Sequence, residues 1–542
     1  MNNLISRRNF LKIAGAGAGI AAAAGLAGCG AASSASTAAS TASSAAASSA
    51  ASAASETVKT GGTIVIGTAN TPTVLGWTPS IASNANIAYQ RLVFETLLNY
   101  TVDGELCGEL ATDWKTEPDA NKITFTLLSG VKFSDGSDFN ASVAKWNIEQ
   151  YMAASRTEVN SVDTVEAPDD TTLVINLKSW NSSALMTLGI YIYMMSKNEF
   201  DTQGQDYMSA NPVGTGPFTL DTYTDASEYN YVKNTNFHIE GKPYLDGVKM
   251  QCMSDSTTME NALLAGDIDI MVSTAAQVVL DLKDNPDYTL QLNTNGVGKE
   301  MTGILPASQP DGTPFGEAAI RQAFCYAIDT DQLNTTLGYG LYEMTNQWAA
   351  KGASTYNEDV VGYPVSVEKG IAKMEEGGYK DGFDTTFYTL PQMNDYTVAI
   401  SDMLSKVGIK CTIETIDLTR HSTMATDGWG EGIYYHWATI SPDLGLYMGR
   451  HLDPNGAYYK KTILHPDDAV ALLNEVRAAK TDDDKQKLSW QLQSLIYDTY
   501  ALFGKPMYVT MIGVFKANYV KDDGYMVNYG SSWKPADCWL NK

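Results

Sequence analysis

Hydrophobic and polar positions along the chain follow two periods that replace one another several times. The run Gly62-Thr63-Ile64-Val65-Ile66-Gly67-Thr68 is β-branched with glycine stops, which predicts a strand. Lys122–Leu127 and Thr172–Leu177 alternate as half-buried strands do, and 410–414 reads as another strand. Apolar residues at helical spacing predict helices over 89–98, 141–151, 320–328 and 398–407. Residues 468–480 and 487–500 read as amphipathic helices. The sum is a mixed α/β protein of several lobes without an internal repeat. From Thr57 onward no run of eighteen apolar residues occurs, so no spanning helix is expected.

The first 28 residues break this pattern. They carry Arg7, Arg8 and Lys12, no acidic residue, and then an apolar Ala/Gly-rich stretch over 13–27. A basic region followed by a short apolar one is a signal peptide. Ser6-Arg7-Arg8-Asn9-Phe10-Leu11-Lys12 matches a twin-arginine export signal, which addresses proteins already folded. The stretch ends in Leu26-Ala27-Gly28-Cys29, which looks like a bacterial lipobox with Cys29 as the lipidated residue. Residues 31–55 are only Ala, Ser and Thr, too poor in apolar surface to order themselves. As a flexible tether they span about 25–30 Å. The expected location is extracytoplasmic, at the cell membrane through a lipid anchor.

Composition narrows the partners. Removing the three basic leader residues from 37 leaves 34 against 62 acidic side chains, a net charge of −28. Such a surface argues against nucleic acid and anionic lipid. The thiols after Cys29 are Cys107, Cys252, Cys325, Cys411 and Cys538, an odd and widely spaced set that builds neither a disulfide framework nor a zinc site. The histidines, His238, His421, His436, His451 and His465, fall in no metal-ligand spacing, so no cofactor or metal is expected. No GxSxG elbow, P-loop or zinc-peptidase helix is present, and no enzyme activity is expected.

Several motifs then resemble one family. Gly61-Gly62-Thr63-Ile64-Val65-Ile66-Gly67, Val93-Phe94-Glu95-Thr96-Leu97-Leu98 and Gly108-Glu109-Leu110-Ala111-Thr112-Asp113-Trp114 come first. Gly130-Val131-Lys132-Phe133-Ser134-Asp135-Gly136, Pro212-Val213-Gly214-Thr215-Gly216-Pro217-Phe218 and Gly241-Lys242-Pro243-Tyr244-Leu245-Asp246 follow. Ala265-Gly266-Asp267-Ile268-Asp269 and 321–329 complete the series. In this order they resemble the extracellular solute-binding proteins of the peptide/nickel importers, from Gly61 to about Tyr525. Physically these motifs read as scaffold: the glycines about Thr215 would supply positive φ, and Asp135-Gly136 a turn. The paired Asp267 and Asp269 read as a solvated turn.

The resemblance implies an α/β, two-lobed periplasmic-binding-protein-like fold with a hinge and an extra third domain. Residues 58–103, 210–303 and 511–542 would form the first lobe, 104–209 the accessory domain and 304–510 the second lobe. It also implies a monomer that closes over a small-molecule ligand and delivers it to an ABC permease with a cytoplasmic ATPase. In peptide-binding relatives a Trp is followed three residues on by an Asp that pairs with the peptide's ammonium group. Aligned on Trp437, this chain places Ile440 there, and a buried ammonium without a counter-charge is strongly unfavourable. Asp443 or Glu431 would supply the charge if the register slips. The expected cleft contacts are Trp429, Tyr435, Trp437 and Ile440, with Tyr434 in the same segment. Asn70, Thr71 and Trp77 after the first strand, and Trp348, are further candidates. Short peptides are the expected substrate, including ones without a free N-terminus. Oligosaccharides, nickel or another metal chelate, and a sensor or pheromone-receptor role are the alternatives.

Overall fold

The first β-branched run becomes the centre of a sheet because both of its faces are covered. The computed structural model describes residues 57–542 except 70, 73, 82–86, 102–104, 274, 293–299, 310–311, 459–460, 511–512 and 522–532. The leader, Cys29, the tether and Asn70 therefore lie outside the described residues. Strand Thr63–Thr68 pairs in parallel with Gly247–Cys252 on one side and Ile270–Ser273 on the other. Ile64 and Ile66 are fully buried, each stabilising the fold by roughly 1.5–3 kcal/mol. Seven strands form this sheet, in the order Tyr288–Leu292, Gly513–Ala517, Ile270–Ser273, Thr63–Thr68, Gly247–Cys252, Glu228–Lys233, Phe218–Thr224. A Cβ on Gly67 would come within 2.6 Å of the end of the Ile268 side chain, so Ile268 packs directly onto the glycine backbone. Asp269, read from the sequence as part of a solvated turn, is buried instead. It accepts the Val65 amide at 2.7 Å and the Tyr519 hydroxyl.

A second sheet of six strands runs Glu343–Met344, Lys505–Thr510, Glu300–Pro306, Ile433–Thr439, Phe383–Thr389, Ile409–Thr415. Its Glu300–Pro306 strand pairs only within this sheet and so straddles the border drawn at 303/304. A third sheet, all antiparallel, runs Ala111–Glu117, Lys122–Leu127, Thr172–Leu177, Val162–Glu166. Helix Ala141–Ala153 packs on it, its N-terminus capped by Asn140, whose side chain accepts the Val143 amide at 3.1 Å.

Most predicted elements form within a few residues of their expected places. Two depart. The helix expected over 89–98 stops at Val93 and gives way to a short strand, Leu98–Tyr100. Helix Asp482–Ser494 ends in a π-turn, Leu495–Thr499. Gly214 and Gly216 do not take positive φ as expected. They are glycine because a Cβ would stand 2.1 Å and 2.6 Å from the backbone of Val93. Gly136 does turn with positive φ. The five described cysteines form no disulfide with one another, and no described helix is long and apolar enough to cross a membrane.

Candidate ligand-binding site

The aromatic residues expected in the cleft are mostly core. Ile433–Thr439 is an inner strand covered on both faces, so its alternation directs side chains into two hydrophobic clusters rather than to one open face. Tyr435 is fully buried against Phe387, with its hydroxyl 2.9 Å from Thr397. Trp429 stacks on Tyr434 at 4.6 Å and donates its indole N–H to Gly432. Trp348 lies against His436 at 4.2 Å and stacks on Tyr447. Its indole N–H is buried without a hydrogen-bond partner. Trp77 stacks on Phe200 in the first-sheet core, and Ile440 is buried beside Leu444. Trp437 alone of the four tryptophans is half-buried, 4.7 Å from His421. Thr71 is half-buried and lines neither cavity described below.

His421, His436 and His451 join this aromatic cluster as neutral rings. His436 Nε2 lies 2.8 Å from the Tyr447 hydroxyl, and His451 Nδ1 donates to the Tyr447 carbonyl at 2.8 Å. Burial holds the His436 pKa well below the usual histidine range and lowers that of His451 to about 4. Burial lowers His421 as well. Among the described residues no three His, Cys, Asp or Glu side chains converge as metal ligands.

Of the two carboxylates that would answer an ammonium in a shifted register, Asp443 is already bonded and Glu431 lines neither cavity described below. Asp443 caps helix Leu444–His451, its Oδ1 accepting the Leu446 amide at 2.9 Å and the Ser183 hydroxyl at 2.8 Å. Its Oδ2 is taken by the Lys485 ammonium. Glu431 stands exposed.

A different group of residues encloses space. A cavity of about 280 Å³ is walled by Thr78, Ile81, Ile87, Gln90, Arg91 and Thr96, by residues around Tyr151, Arg156 and Tyr193 beside the third sheet, and by Thr426, Arg450 and Tyr458. Its charged lining is Arg91, Arg156, Glu158 and Arg450. Arg91 is committed: it forms a two-pronged pair with Glu109, which also receives the Thr96 amide at 2.7 Å. Glu158 is shared. Arg156 reaches it through Nε at 3.1 Å and Nη2 at 2.9 Å, Arg450 through Nη2 at 3.3 Å. Arg450 also lies 5.9 Å from the Tyr191 ring. Beyond this shared carboxylate a second cavity of about 710 Å³ opens, lined by Trp180, Arg477 and Lys480. There the third-sheet region is tied to the second-sheet region: Trp180 Nε1 donates to Ala479 at 2.8 Å and the Ser182 amide to Arg477 at 2.7 Å.

None of these arginines stood out in the sequence, yet a signal was present. After residue 28 the chain has six arginines and 28 lysines, and three of the six line the smaller cavity while no described lysine does. In a chain so rich in lysine, three arginines and no described lysine in one lining point to a use for the planar guanidinium there.

The model of the bacterial extracellular solute-binding proteins, family 5, middle region, matches residues 105–459. The chain belongs to this family. Among its relatives, heme-binding protein A of Haemophilus influenzae is 25% identical over 476 residues, 80% of this chain and 85% of its own. Glutathione-binding protein GsiB of Salmonella typhi is 24% identical over 441 residues, 76% and 82% of the two chains. The Helicobacter pylori periplasmic binding protein DppA, solved with the peptide STSA, superposes with a TM-score of 0.75 at 21% identity, over 89% of this chain and 99% of that one. The family member described here thus has the two-lobed α/β binding-protein fold and is a solute-binding component of ABC importers, not an enzyme.

Proposed function

We propose that the protein is the lipid-anchored capture component of an importer for short peptides that lack a free α-ammonium group. The observation that carries the reading is the charge of the smaller cavity, whose described lining holds one carboxylate, Glu158, already bonded by two arginines. Ile440 is buried in core, Asp443 is saturated and Glu431 does not line this cavity, so an ammonium bound there finds no free counter-charge among its described lining residues. The peptide bound to DppA and the glutathione of GsiB supply the substrate class by analogy. The seven-stranded sheet and the six-stranded sheet are the two lobes, the four-stranded domain the accessory one. Ligand bridging them favours the closed form that docks on the permease. Cys29 carries the lipid, and the monomer hangs from it by the 31–55 tether.

Thermal unfolding of the purified protein with free peptides, N-acetylated peptides, oligosaccharides and nickel chelates tests the substrate. A ligand at a hundredfold its Kd adds about 2.7 kcal/mol, a visible rise in melting temperature. N-acetylated peptides should stabilise and free ones much less; stabilisation by sugars or chelates alone would remove the peptide reading and leave the family assignment standing. Cys29→Ala should release the protein from the membrane fraction.

A further inference from the structure

We propose that Gln90 selects the solute by a neutral amide group, each amide donating an N–H to the other's carbonyl, with the hydroxyls of Tyr191 and Tyr193 bonding beside it; this rests on the reading of the smaller cavity as the ligand site. The charged groups of the lining are already engaged: Arg91 with Glu109, and Arg156 and Arg450 with Glu158. What remains free is neutral. Gln90 is 4% exposed and lines the cavity, yet its side-chain amide has no hydrogen-bond partner among the described residues. A buried carboxamide without partners is destabilising, and a leucine of similar size would avoid that penalty. Its backbone is held from two sides. The Gln90 carbonyl accepts the Phe94 amide at 2.7 Å, and the next residue, Arg91, is anchored on Glu109. The amide is thus presented at a fixed place. No protein partner fixes which end is its oxygen, so it turns to suit the solute.

Tyr191 and Tyr193 add a second set of free groups. Both line the same cavity, and Ile192 between them is fully buried in the core of the four-stranded domain. Tyr193 is held by its amide, which donates to the Tyr151 hydroxyl at 3.4 Å, and by its ring against Phe94. Neither phenol hydroxyl has a hydrogen-bond partner among the described residues. Burial raises both phenol pKa values, so each keeps a proton to donate. A carboxamide offers a donor and an acceptor side by side in one plane, and its full complement is a second amide. A carboxylate or an ammonium answers only one half of it, and a sugar hydroxyl meets it through a single oxygen. In a blocked peptide the matching amide is that of the acyl cap, which stands where a free peptide carries its ammonium group.

Two matched pools decide the matter: N-acetyl tripeptides of mixed sequence, and the same compounds with the acetamide replaced by an acetate ester, which keeps the shape and removes the N–H. They are run beside the oligosaccharides and nickel chelates above, with N-acetylated amino sugars added. Binding is read by thermal shift and then by calorimetry on wild type, Gln90→Leu, Tyr191→Phe and Tyr193→Phe. Wild type should bind the acetamide pool about tenfold more tightly than the ester pool. Gln90→Leu should erase that preference, and each phenylalanine variant should weaken binding by a smaller factor. Because the Gln90 amide has no partner in the protein, ligand-free Gln90→Leu should melt at or above wild type. If it melts lower, Gln90→Met, unbranched and equally free of donors, is read in its place. Equal affinity for the two pools, or a preference that survives loss of the Gln90 amide, overturns the proposal while the peptide reading stands. Acetamido sugars that bind in a Gln90-dependent way, with neither peptide pool active, remove the peptide reading and support this one. A sole binder without an amide group, or no binder in any class, overturns both.

Discussion

Two regions of the molecule bury titratable groups by opposite means. Around helix Ile87–Val93 charge is buried as matched pairs: Arg91 on Glu109, and the His238 ring 3.0 Å from Glu95. Beside the six-stranded sheet, imidazoles are buried neutral among aromatic rings, with His451 stacked 4.4 Å from Tyr447 and 5.3 Å from Tyr458. The His238–Glu95 pair is held by charge and weakens when the imidazolium loses its proton, whereas a buried neutral ring is held by packing and is sensitive to gaining one. The two histidine environments thus answer pH in opposite directions.

The packing side of the contrast breaks most readily at Trp348. Trp348→Ala should cost about 3–5 kcal/mol in a urea titration, because it leaves a cavity between His436 and Tyr447. A loss under 1 kcal/mol, with ligand affinity abolished, would return Trp348 to the cleft. Next comes the ion pair at the seam. Asp443→Ala strands the Lys485 ammonium, 18% exposed, and uncaps a helix, which should cost on the order of 3 kcal/mol by the same titration.

The pH contrast follows. His451 has its folded pKa lowered from 6.5 to about 4, so its stabilisation is full above pH 6.5 and is lost as the pH falls toward 4. At pH 5 the loss from this residue is about 2 kcal/mol, and His451→Gln should flatten the acid limb of the melting curve. The smallest effect has the reverse sign. Burial depresses His238, but the Glu95 hydrogen bond and charge more than offset it, leaving the pKa above the usual range. Burial raises Glu95 as well, against the pull of His238. The raised His238 pKa makes the pair stabilising below the ordinary histidine value and weakens it as the pH rises through the folded one; the raised Glu95 pKa acts with the same sign, its contribution full below the ordinary carboxylate value and lost as the pH rises. Urea midpoints should therefore fall slightly from pH 6 to pH 8, and His238→Gln should remove that slope. A wild-type midpoint that rises across the interval would show that the pair is not the dominant titration in its lobe.

Legibility in the sequence tracked how one-sided each element is. Lys122–Leu127 and Thr172–Leu177 were readable because every second residue is buried, and Asp443 could be seen as an acid but not as a cap. Ile433–Thr439 misled because both of its faces are covered, which erases the difference between a cleft face and a core face. The charged site was hidden for a different reason. Glu158 and Arg450 meet across 292 positions, and nothing local in either segment announces the other. The close approaches at Gly214 and Gly216 were likewise long-range, against Val93 rather than within a turn.

The amide of Ser182, donated to the Arg477 carbonyl at 2.7 Å, doubles as a clock. It joins the four-stranded domain to the helices beside the second sheet, and no strand or helix of its own shields it. Its rate of deuterium uptake divided by that of an open peptide gives the fraction of time the seam is unzipped. A solute that holds the seam closed should slow that clock, so occupancy becomes readable at a single peptide group.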